Sequence, residues 1–471
     1  MHLSGVLPSG QPTHLSLLGL SKTLALGMSQ GDRDKHRSVL DVSIIATLPL
    51  FRHLTHLTLS HVSCTHAGTH TPGNSSTNLP SLSDGRSSSS SSSNTRAAIG
   101  ASQGSISSVG SSSSSSSSSD RNNLSGSSGF ISFHHFPASG LPSLTSLHLQ
   151  HVSPRLVAQD IGGLTRLTHF SCCDSLLAPD MTCWPSLEQL DCTQNRLLSL
   201  DVSRCKALAR LDCSRNGLTR VNASGCTSLR TLTCTNNYTS HLDVSTCTSL
   251  EAVDCTNSAV VHIMLPPVGG TLQRLNCSNN SVTSLDAAQL RSLRHLDCSW
   301  NRMPQLDLLP STALQHLDCS HNHLEDLRLS SCASLHRLVC DQNRLRTLGL
   351  GFKPNLLHLD CSRNEISQLL LAAHASLEHV DCSNNRIQRL EVPRAGSLQI
   401  LNCAKNRVGE LDVSGSSRLL VLKCELNHLR RLDVSGCPHL THLDCSLNQL
   451  SNLDLSMCTA LQVVNSAGQK E

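Results

Sequence analysis

The most regular feature of the chain is a spacing of apolar residues that repeats every 21 positions. Copies that begin at Leu187, Leu293 and Leu440 read LEQLDCTQNRLLSLDVSRCKA, LRHLDCSWNRMPQLDLLPSTA and LTHLDCSLNQLSNLDLSMCTA. Their common frame is L-x-x-L-x-C-x-x-N-x-L-x-x-L-D-V/L-S-x-C-x-x, and thirteen successive copies fill Leu187 to Leu461. Self-similarity at a fixed period predicts a repeat array in which each unit packs mainly on its neighbours.

Each copy contains two short segments in which apolar and polar residues alternate. In the first copy, Leu190 and Cys192 are echoed ten residues later by Leu200 and Val202. Alternation of this kind is typical of a strand with one buried face. Because two such segments share 21 residues, there is little room for a helix, so we predict two strand-like legs per turn, both in parallel sheets.

The first leg of the frame resembles the leucine-rich-repeat family, whose hallmark is L-x-x-L-x-L-x-x-N-x-L, with cysteine in the third leucine position here. The nested halves are similar to the short 21-residue class of that family and, more loosely, to internalin-type arrays. The resemblance implies a leucine-rich-repeat solenoid of the α/β horseshoe class, here mostly parallel β with little helix. It also implies that the first-leg sheet is the recognition face.

Upstream of the regular copies the pattern weakens. Residues 1–64 and 141–186 carry degenerate repeats, such as LTHLTLSHVS from Leu54 and LTSLHLQHVS from Leu144. Between them, residues 65–140 hold two unbroken serine runs, which cannot bury enough apolar surface to offset the entropy of ordering. We predict a disordered insertion at 65–140, thirteen regular repeats at 187–461 and a tail at 462–471.

Charge, hydropathy and cysteine spacing indicate the ligand class and the cellular location of the protein. The formal charge of +3 gives no global field that would favour nucleic acid or an anionic membrane. No stretch has the ~18 apolar residues of a membrane span, and no secretory signal is evident. Thirteen of the 23 cysteines, Cys192 to Cys445, recur at the repeat period, which indicates a core position rather than a disulfide framework. We therefore expect reduced thiols and a cytoplasmic protein, with association to the cytoskeleton or a cilium as a variant.

Polar residues also recur in columns. Twelve of the thirteen copies have an asparagine at one position, which is expected to form a ladder that satisfies backbone groups of neighbouring turns, and Ser258 breaks this column. On the solvent side of the first leg, one column is mostly Asp and its neighbour mostly His or Arg, so cations and carboxylates of adjacent turns are expected to neutralise one another on a flat or convex face. Val339 is one of the breaks in this pattern.

The same face is also the candidate docking surface. Trp and Arg are enriched at binding hot spots, and a Trp beside the ladder asparagine has no core position to fill. The predicted protein-binding residues, expected to form one patch, are Trp300, His295, His316, Arg337, His321, His323, Arg302 and Arg344.

No catalytic motif accompanies these columns. The sequence lacks a phosphate loop and an H-E-x-x-H motif, so we predict no catalytic site, cofactor or metal. The main hypothesis is a non-enzymatic scaffold for a protein partner, without nucleic acid, membrane or small-molecule ligands. Alternatives are a regulatory or targeting subunit of a phosphatase or small GTPase, a cytoskeletal or ciliary axoneme component, and an extracellular adhesion or immune-receptor module.

Overall fold

A computed structural model describes residues 2–6, 12–16, 23–26, 53–60, 138–150, 161–173, 181, 184–266, 270–286, 290–308, 311–393 and 396–469. The chain divides into two units, Met1–Thr65 with Gly129–Glu471, and His66–Ser128. The second unit, and with it most of the predicted serine-rich insertion, lies outside the described residues.

The regular secondary structure in the described part of the first unit is almost entirely β-strand. A 3-10 helix spans Ala138–Gly140. In chain order, the strands are β1 His2–Val6, β2 Pro12–Ser16, β3 Thr23–Leu26, β4 His56–Ser60, β5 Ser146–Gln150, β6 His169–Cys173, β7 Gln189–Asp191, β8 Ser199–Asp201, β9 Arg210–Asp212, β10 Arg220–Asn222, β11 Thr231–Thr233, β12 His241–Asp243, β13 Ala252–Asp254, β14 His262–Met264, β15 Arg274–Asn276, β16 His295–Asp297, β17 Gln305–Asp307, β18 His316–Asp318, β19 Asp326–Arg328, β20 Arg337–Val339, β21 His358–Asp360, β22 Gln368–Leu370, β23 His379–Asp381, β24 Arg389–Glu391, β25 Ile400–Asn402, β26 Val421–Lys423, β27 His442–Asp444 and β28 Val463–Asn465.

First-leg strands form one parallel series, the main sheet, in which each strand pairs with the strand one turn away. The series runs β3, β4, β5, β6, β7, β9, β11, β13, β15, β16, β18, β20, β21, β23, β25, β26, β27 and β28. Pairing is in register with the sequence repeat, so that Leu296 of β16 faces Leu317 of β18. Equivalent residues of successive turns therefore lie in columns across the sheet.

Second-leg strands pair less extensively. Four separate parallel pairs form, β8 with β10, β12 with β14, β17 with β19 and β22 with β24. Asp412 and Asp433 add an isolated bridge. The prediction of a parallel sheet in this leg is thus met only in part. The described residues of the regular repeats contain no helix, as predicted, and no described helix is long and apolar enough to cross a bilayer.

The core is a continuous stack of aliphatic side chains and thiols. Leu190, Cys192 and their equivalents are buried in every regular turn, and the degenerate turns bury Leu147 and Phe170 in the same place. Burial raises the pKa of these thiols, as at Cys298, and the described cysteines form no disulfide. Inert thiols in a dry column replace the leucine of the usual frame.

The predicted asparagine ladder connects consecutive turns. Asn301 Nδ2 donates to the carbonyl oxygens of Cys277 and Cys298 at 2.9 and 3.0 Å, and its Oδ1 accepts from the backbone N–H of Val282 at 2.8 Å. Ser258 interrupts the ladder, and its hydroxyl donates to the Cys234 carbonyl instead. Each ladder asparagine thus forms hydrogen bonds with backbone carbonyl and N–H groups that have no partner within their own turn.

The residue before each ladder position has a left-handed backbone, which turns its side chain out of the core. In the regular turns φ lies between 52 and 57° for Gln194, Arg215, Asn236, Asn257, Asn279, Trp300, His321, Gln342, Arg363, Asn384, Lys405, Leu426 and Leu447. Few residues other than glycine adopt this conformation. These side chains form a rim column along one edge of the main sheet.

Candidate functional site

On the outer face of the main sheet, a column of nitrogen-bearing side chains crosses four neighbouring strands. Arg274 on β15 pairs in register with His295 on β16, which pairs with His316 on β18, which pairs with Arg337 on β20. Their flanking core residue is buried on every strand, so these side chains point to the opposite, solvent side.

The two histidines of this column are stacked on each other. Their ring centroids lie 4.6 Å apart and the ring planes differ by 9°. Burial lowers the pKa of His295, and His316 and Arg274 add to this effect through repulsion. Burial, with His336 and Arg337, lowers the pKa of His316 as well. The stacked pair is therefore held in the neutral form at neutral pH.

The neighbouring aspartate column has a structural role. Asp297 Oδ1 accepts hydrogen bonds from the backbone N–H and the hydroxyl of Ser299 at 3.1 and 2.7 Å, and Asp318 binds Ser320 in the same way. Such Asx turns shape the corner after each strand. The sequence-based interpretation, which paired these carboxylates with cations of neighbouring turns, missed this local role.

A groove of about 430 Å³ lies over these columns. It spans β11 to β20, and its lining residues include Thr231, Ala252, Arg274, His295 and His316. A second depression of about 470 Å³ continues on the same face over β5 to β11 and shares Thr231. The prediction of a flat or convex face is wrong here, because short residues such as Ala252 stand beside the long Arg and His side chains.

At the rim column, Trp300 and His321 form a second aromatic pair. Their ring centroids are 3.6 Å apart, the planes differ by 14°, and the indole remains 57% exposed. His321 Nε2 lies 4.0 Å from Asp341 Oδ2. Burial and the nearby Arg363 lower the pKa of His321, while burial and the nearby Asp360 and Asp318 raise the pKa of Asp341 to about 6.

Comparison with known proteins agrees with this geometry. A family model described as Leucine Rich Repeat matches residues 313–335. The functional domain of InlJ from Listeria monocytogenes, which includes a cysteine ladder, is 27% identical, with 66% of each chain covered and a TM-score of 0.52. The fold is a leucine-rich-repeat solenoid.

Two further solved structures share this leucine-rich-repeat fold. A leucine-rich-repeat protein from Leptospira interrogans is 18% identical over 69% of this chain and 85% of its own, with a TM-score of 0.54. The plant peptide hormone receptor RGFR1, solved in complex with RGF2, is 23% identical over 72% of this chain and 62% of its own, with a TM-score of 0.57. No curated protein matches the sequence.

The predicted docking residues fall into three groups on the solenoid. His295, His316 and Arg337 line the groove, whereas Trp300 and His321 form the stack on the rim. The remaining three are exposed and follow the ladder asparagines of their turns: Arg302, His323 and Arg344. Whether any of the eight binds a partner remains a prediction.

Three residues with a distinct place in this site were not among the predicted ones. Arg274 continues the groove column, Asn276 lies two residues further on the same strand, and Asp341 adjoins the rim pair. Each of the three interrupts or ends a column of recurring residue types, and this irregularity is the sequence feature by which it could have been found. In the described residues, no group of three or more His, Cys, Asp or Glu side chains is arranged to hold a metal ion.

Proposed function

We propose that the protein is a non-enzymatic scaffold that binds a protein partner on the outer face of its main sheet. The observation that carries this proposal is the groove over β11 to β20. In this groove, aligned Arg and His side chains of neighbouring strands lie beside short residues such as Ala252. Clefts that combine apolar floor and a few polar groups are typical binding sites. The RGFR1 structure shows that a solenoid of this fold can hold a partner.

The shape of the columns argues for binding rather than catalysis. In the groove, His295 stacks on another imidazole, and the nearby carboxylates of Asp297 and Asp318 are engaged by their own turns. A general base needs a partner that orients it and a nucleophile within reach. The repeating columns supply equivalent groups instead of the distinct roles that catalysis requires.

Site-specific photocrosslinking in the cells of origin tests the proposal. A photoreactive phenylalanine analogue at Ala252 places the probe in the groove. The matched control is the same analogue at Gln388, which lines a depression of about 890 Å³ over second-leg residues. We expect a discrete protein adduct from position 252 that disappears when His295 and His316 are both changed to Ala, and none from position 388.

The opposite pattern would overturn the proposal. An adduct from position 388 alone would place the partner on the second leg, and equal adducts from both positions would indicate nonspecific contact. Circular dichroism of the double-alanine variant guards against unfolding as the cause of a lost adduct.

A further inference from the structure

The two arginines of the groove, unlike the histidines between them, are not followed by an aspartate on their own strand. On β16 and β18, each histidine is followed two residues later by an aspartate, Asp297 or Asp318. On β15, Arg274 is followed by Asn276, and on β20 Arg337 is followed by Val339. Between β15 and β20, the aspartate column is thus interrupted at the two strands that carry an arginine.

Arg210 provides an internal comparison, since this arginine of the same column retains Asp212 on its strand. At Arg274, Asn276 keeps the structural part of the aspartate: its Oδ1 accepts from the N–H and hydroxyl of Ser278 at 3.0 and 2.8 Å. Only the charge is missing. At Arg337, buried Val339 removes both the charge and the hydrogen-bond acceptor.

Neither guanidinium forms a salt bridge with a carboxylate of the described residues, although Arg337 lies close enough to Asp360 on β21 to oppose the rise that burial causes in the pKa of that carboxyl. The salt bridges within the described part of the chain join other residues, among them Arg230 with Glu251 and Arg386 with Glu365. Arg274 and Arg337 are both exposed. The groove therefore presents two positive charges that form no salt bridge with the residues the structure describes, one on each side of the stacked histidines.

The spacing of these two charges suits one kind of ligand. Three strand steps separate β15 from β20, which at the usual distance between strands amounts to about 14 Å. In an extended peptide, residues i and i+4 lie on one side of the chain at about 13–14 Å. A peptide that runs across the strands can therefore place one side chain on each arginine.

We infer that the groove binds an extended segment of a partner protein with acidic residues at positions i and i+4, whose carboxylates pair with Arg274 and Arg337. This inference rests on the proposed function and names the chemistry of the partner. Arginine forms bidentate hydrogen bonds with carboxylates, which fixes both ends of the segment.

The residues between the arginines define the middle of the segment. His295 Nδ1 is buried without a hydrogen-bond partner within the described residues, so Nε2 is the nitrogen through which this ring reaches a ligand. Asp297 and Asp318 lie beside the two rings and repel a third carboxylate. We therefore expect an uncharged residue with a hydrogen-bond acceptor at i+2.

A random linear peptide library displayed on phage, selected on the full chain, tests the inference without a known partner. We expect enrichment of Asp or Glu pairs four residues apart. The same selection on the Arg274→Gln, Arg337→Gln double variant should lose this enrichment. Enrichment of sequences without acidic pairs, or of the same pairs on the double variant, would overturn the inference.

Titration of a labelled heptapeptide of Thr and Val, with Glu at the second and sixth positions, gives the quantitative test. Fluorescence anisotropy should show affinity that falls at least about tenfold with Arg274→Gln. Asn276→Asp should reduce it similarly, because it restores the missing carboxylate and retains the acceptor for Ser278. Arg220→Gln on second-leg strand β10 is the matched control and should leave affinity unchanged. Equal affinity for a peptide with Lys at both positions would contradict the inference.

The two proposals fail in different ways. If the adduct from position 252 depends on the groove histidines but acidic peptides do not bind, the scaffold stands and the acidic segment is wrong. If neither the adduct nor the peptides depend on the groove, both are wrong.

Discussion

The indole of Trp300 and the imidazole of His321 are stacked at a centroid distance of 3.6 Å on the rim of the main sheet. The two residues are 21 positions apart and share the left-handed backbone of the rim column. Their contact is therefore a product of the repeat itself, since equivalent positions of adjacent turns are neighbours in space.

Removal of the indole tests whether the rim takes part in binding. Trp300→Ala should change the free energy of unfolding by less than about 1 kcal/mol, because the side chain is mostly exposed and its main contact is His321. If the rim contacts the partner, the same change should weaken binding by about 2 kcal/mol or more. Urea unfolding and the crosslinking yield from position 252 provide the two measurements. A large loss of stability would show that the indole is a structural element.

The stack also provides a spectroscopic signal. Because a protonated imidazole quenches indole fluorescence, the emission of Trp300 should fall as His321 gains a proton. Burial lowers the pKa of His321, so the midpoint should lie below the usual value of 6.5. The difference in emission between the wild-type chain and Trp300→Phe isolates this signal from buried Trp184. A midpoint at or above 6.5, or a signal that persists in His321→Gln, would contradict the described geometry.

The ladder should be more sensitive to substitution than the rim. Asn301→Ala removes the donors to Cys277 and Cys298 and the acceptor for Val282, all of them buried. Because these buried backbone groups lose their hydrogen-bond partner, the free energy of unfolding, measured in urea, should fall by about 2–4 kcal/mol. Exposed Asn452 is the control, and Asn452→Ala should remain within about 0.5 kcal/mol of the wild-type protein.

Lys353 is an unfavourable core residue. It takes the place of the second cysteine of the repeat, its side chain is fully buried, and its Nζ has no hydrogen-bond partner in the described residues. Burial lowers the pKa of Lys353, so the folded state holds its proton less tightly than the unfolded state. Lys353→Met should therefore stabilise the protein by about 1–3 kcal/mol.

The pH dependence of that gain has a definite sign. Above the unfolded-state pKa of Lys353, near 10.5, the lysine is neutral in both states and the folded state keeps its full stability. As the pH falls through the folded-state pKa, the buried amine must take up a proton and that stability is lost. The advantage of Lys353→Met should thus be largest at neutral pH and shrink toward pH 10.5. Urea unfolding at several pH values measures it, with exposed Lys405→Met as the control. A constant advantage would mean that packing, not charge, is responsible.

Thiol chemistry tests the role of the cysteines. Buried side chains with raised pKa values are poor nucleophiles, so a water-soluble disulfide reagent should react with the native core very slowly. Half-buried Cys173 should be the first of the described cysteines to react. After unfolding without reductant, the count should approach 23 per chain. A much lower count would indicate disulfides and contradict both the core role and the cytoplasmic location expected from the sequence.

Much of the fold follows from the sequence because the repeat specifies it many times over. The buried cysteine column, the ladder of Asn301 and its equivalents, and the parallel main sheet all derive from residues that recur at one spacing. The second leg was harder to predict, since its leucine positions recur at the same spacing as in the first leg, yet only four pairs of neighbouring turns in the described residues form paired strands. The packing of Lys353 into the core was also hidden, because the frame alone gives no reason for a lysine there.

The candidate site was only partly predictable for a different physical reason. Periodicity placed His295 and His316 in one column, but their stacking depends on ring orientation, and the groove depends on the contrast between Ala252 and its long neighbours. The importance of Arg274 is visible only when its strand partner Asn276 is compared with the aspartates of adjacent strands. Exceptions to a repeat carry more information about a site than the repeat itself.

Because each ladder asparagine completes the hydrogen bonds of the preceding turn, the array can gain or lose whole turns but not fractions of one. The distance between two side chains on the main sheet is consequently quantised in strand steps. Loss of the turn that contains His316 would bring Arg274 and Arg337 one step closer, to about 10 Å, and would select a different spacing of charges in any ligand. On the inference above, the number of repeats between Arg274 and Arg337 therefore sets the spacing of the acidic residues that a ligand must carry.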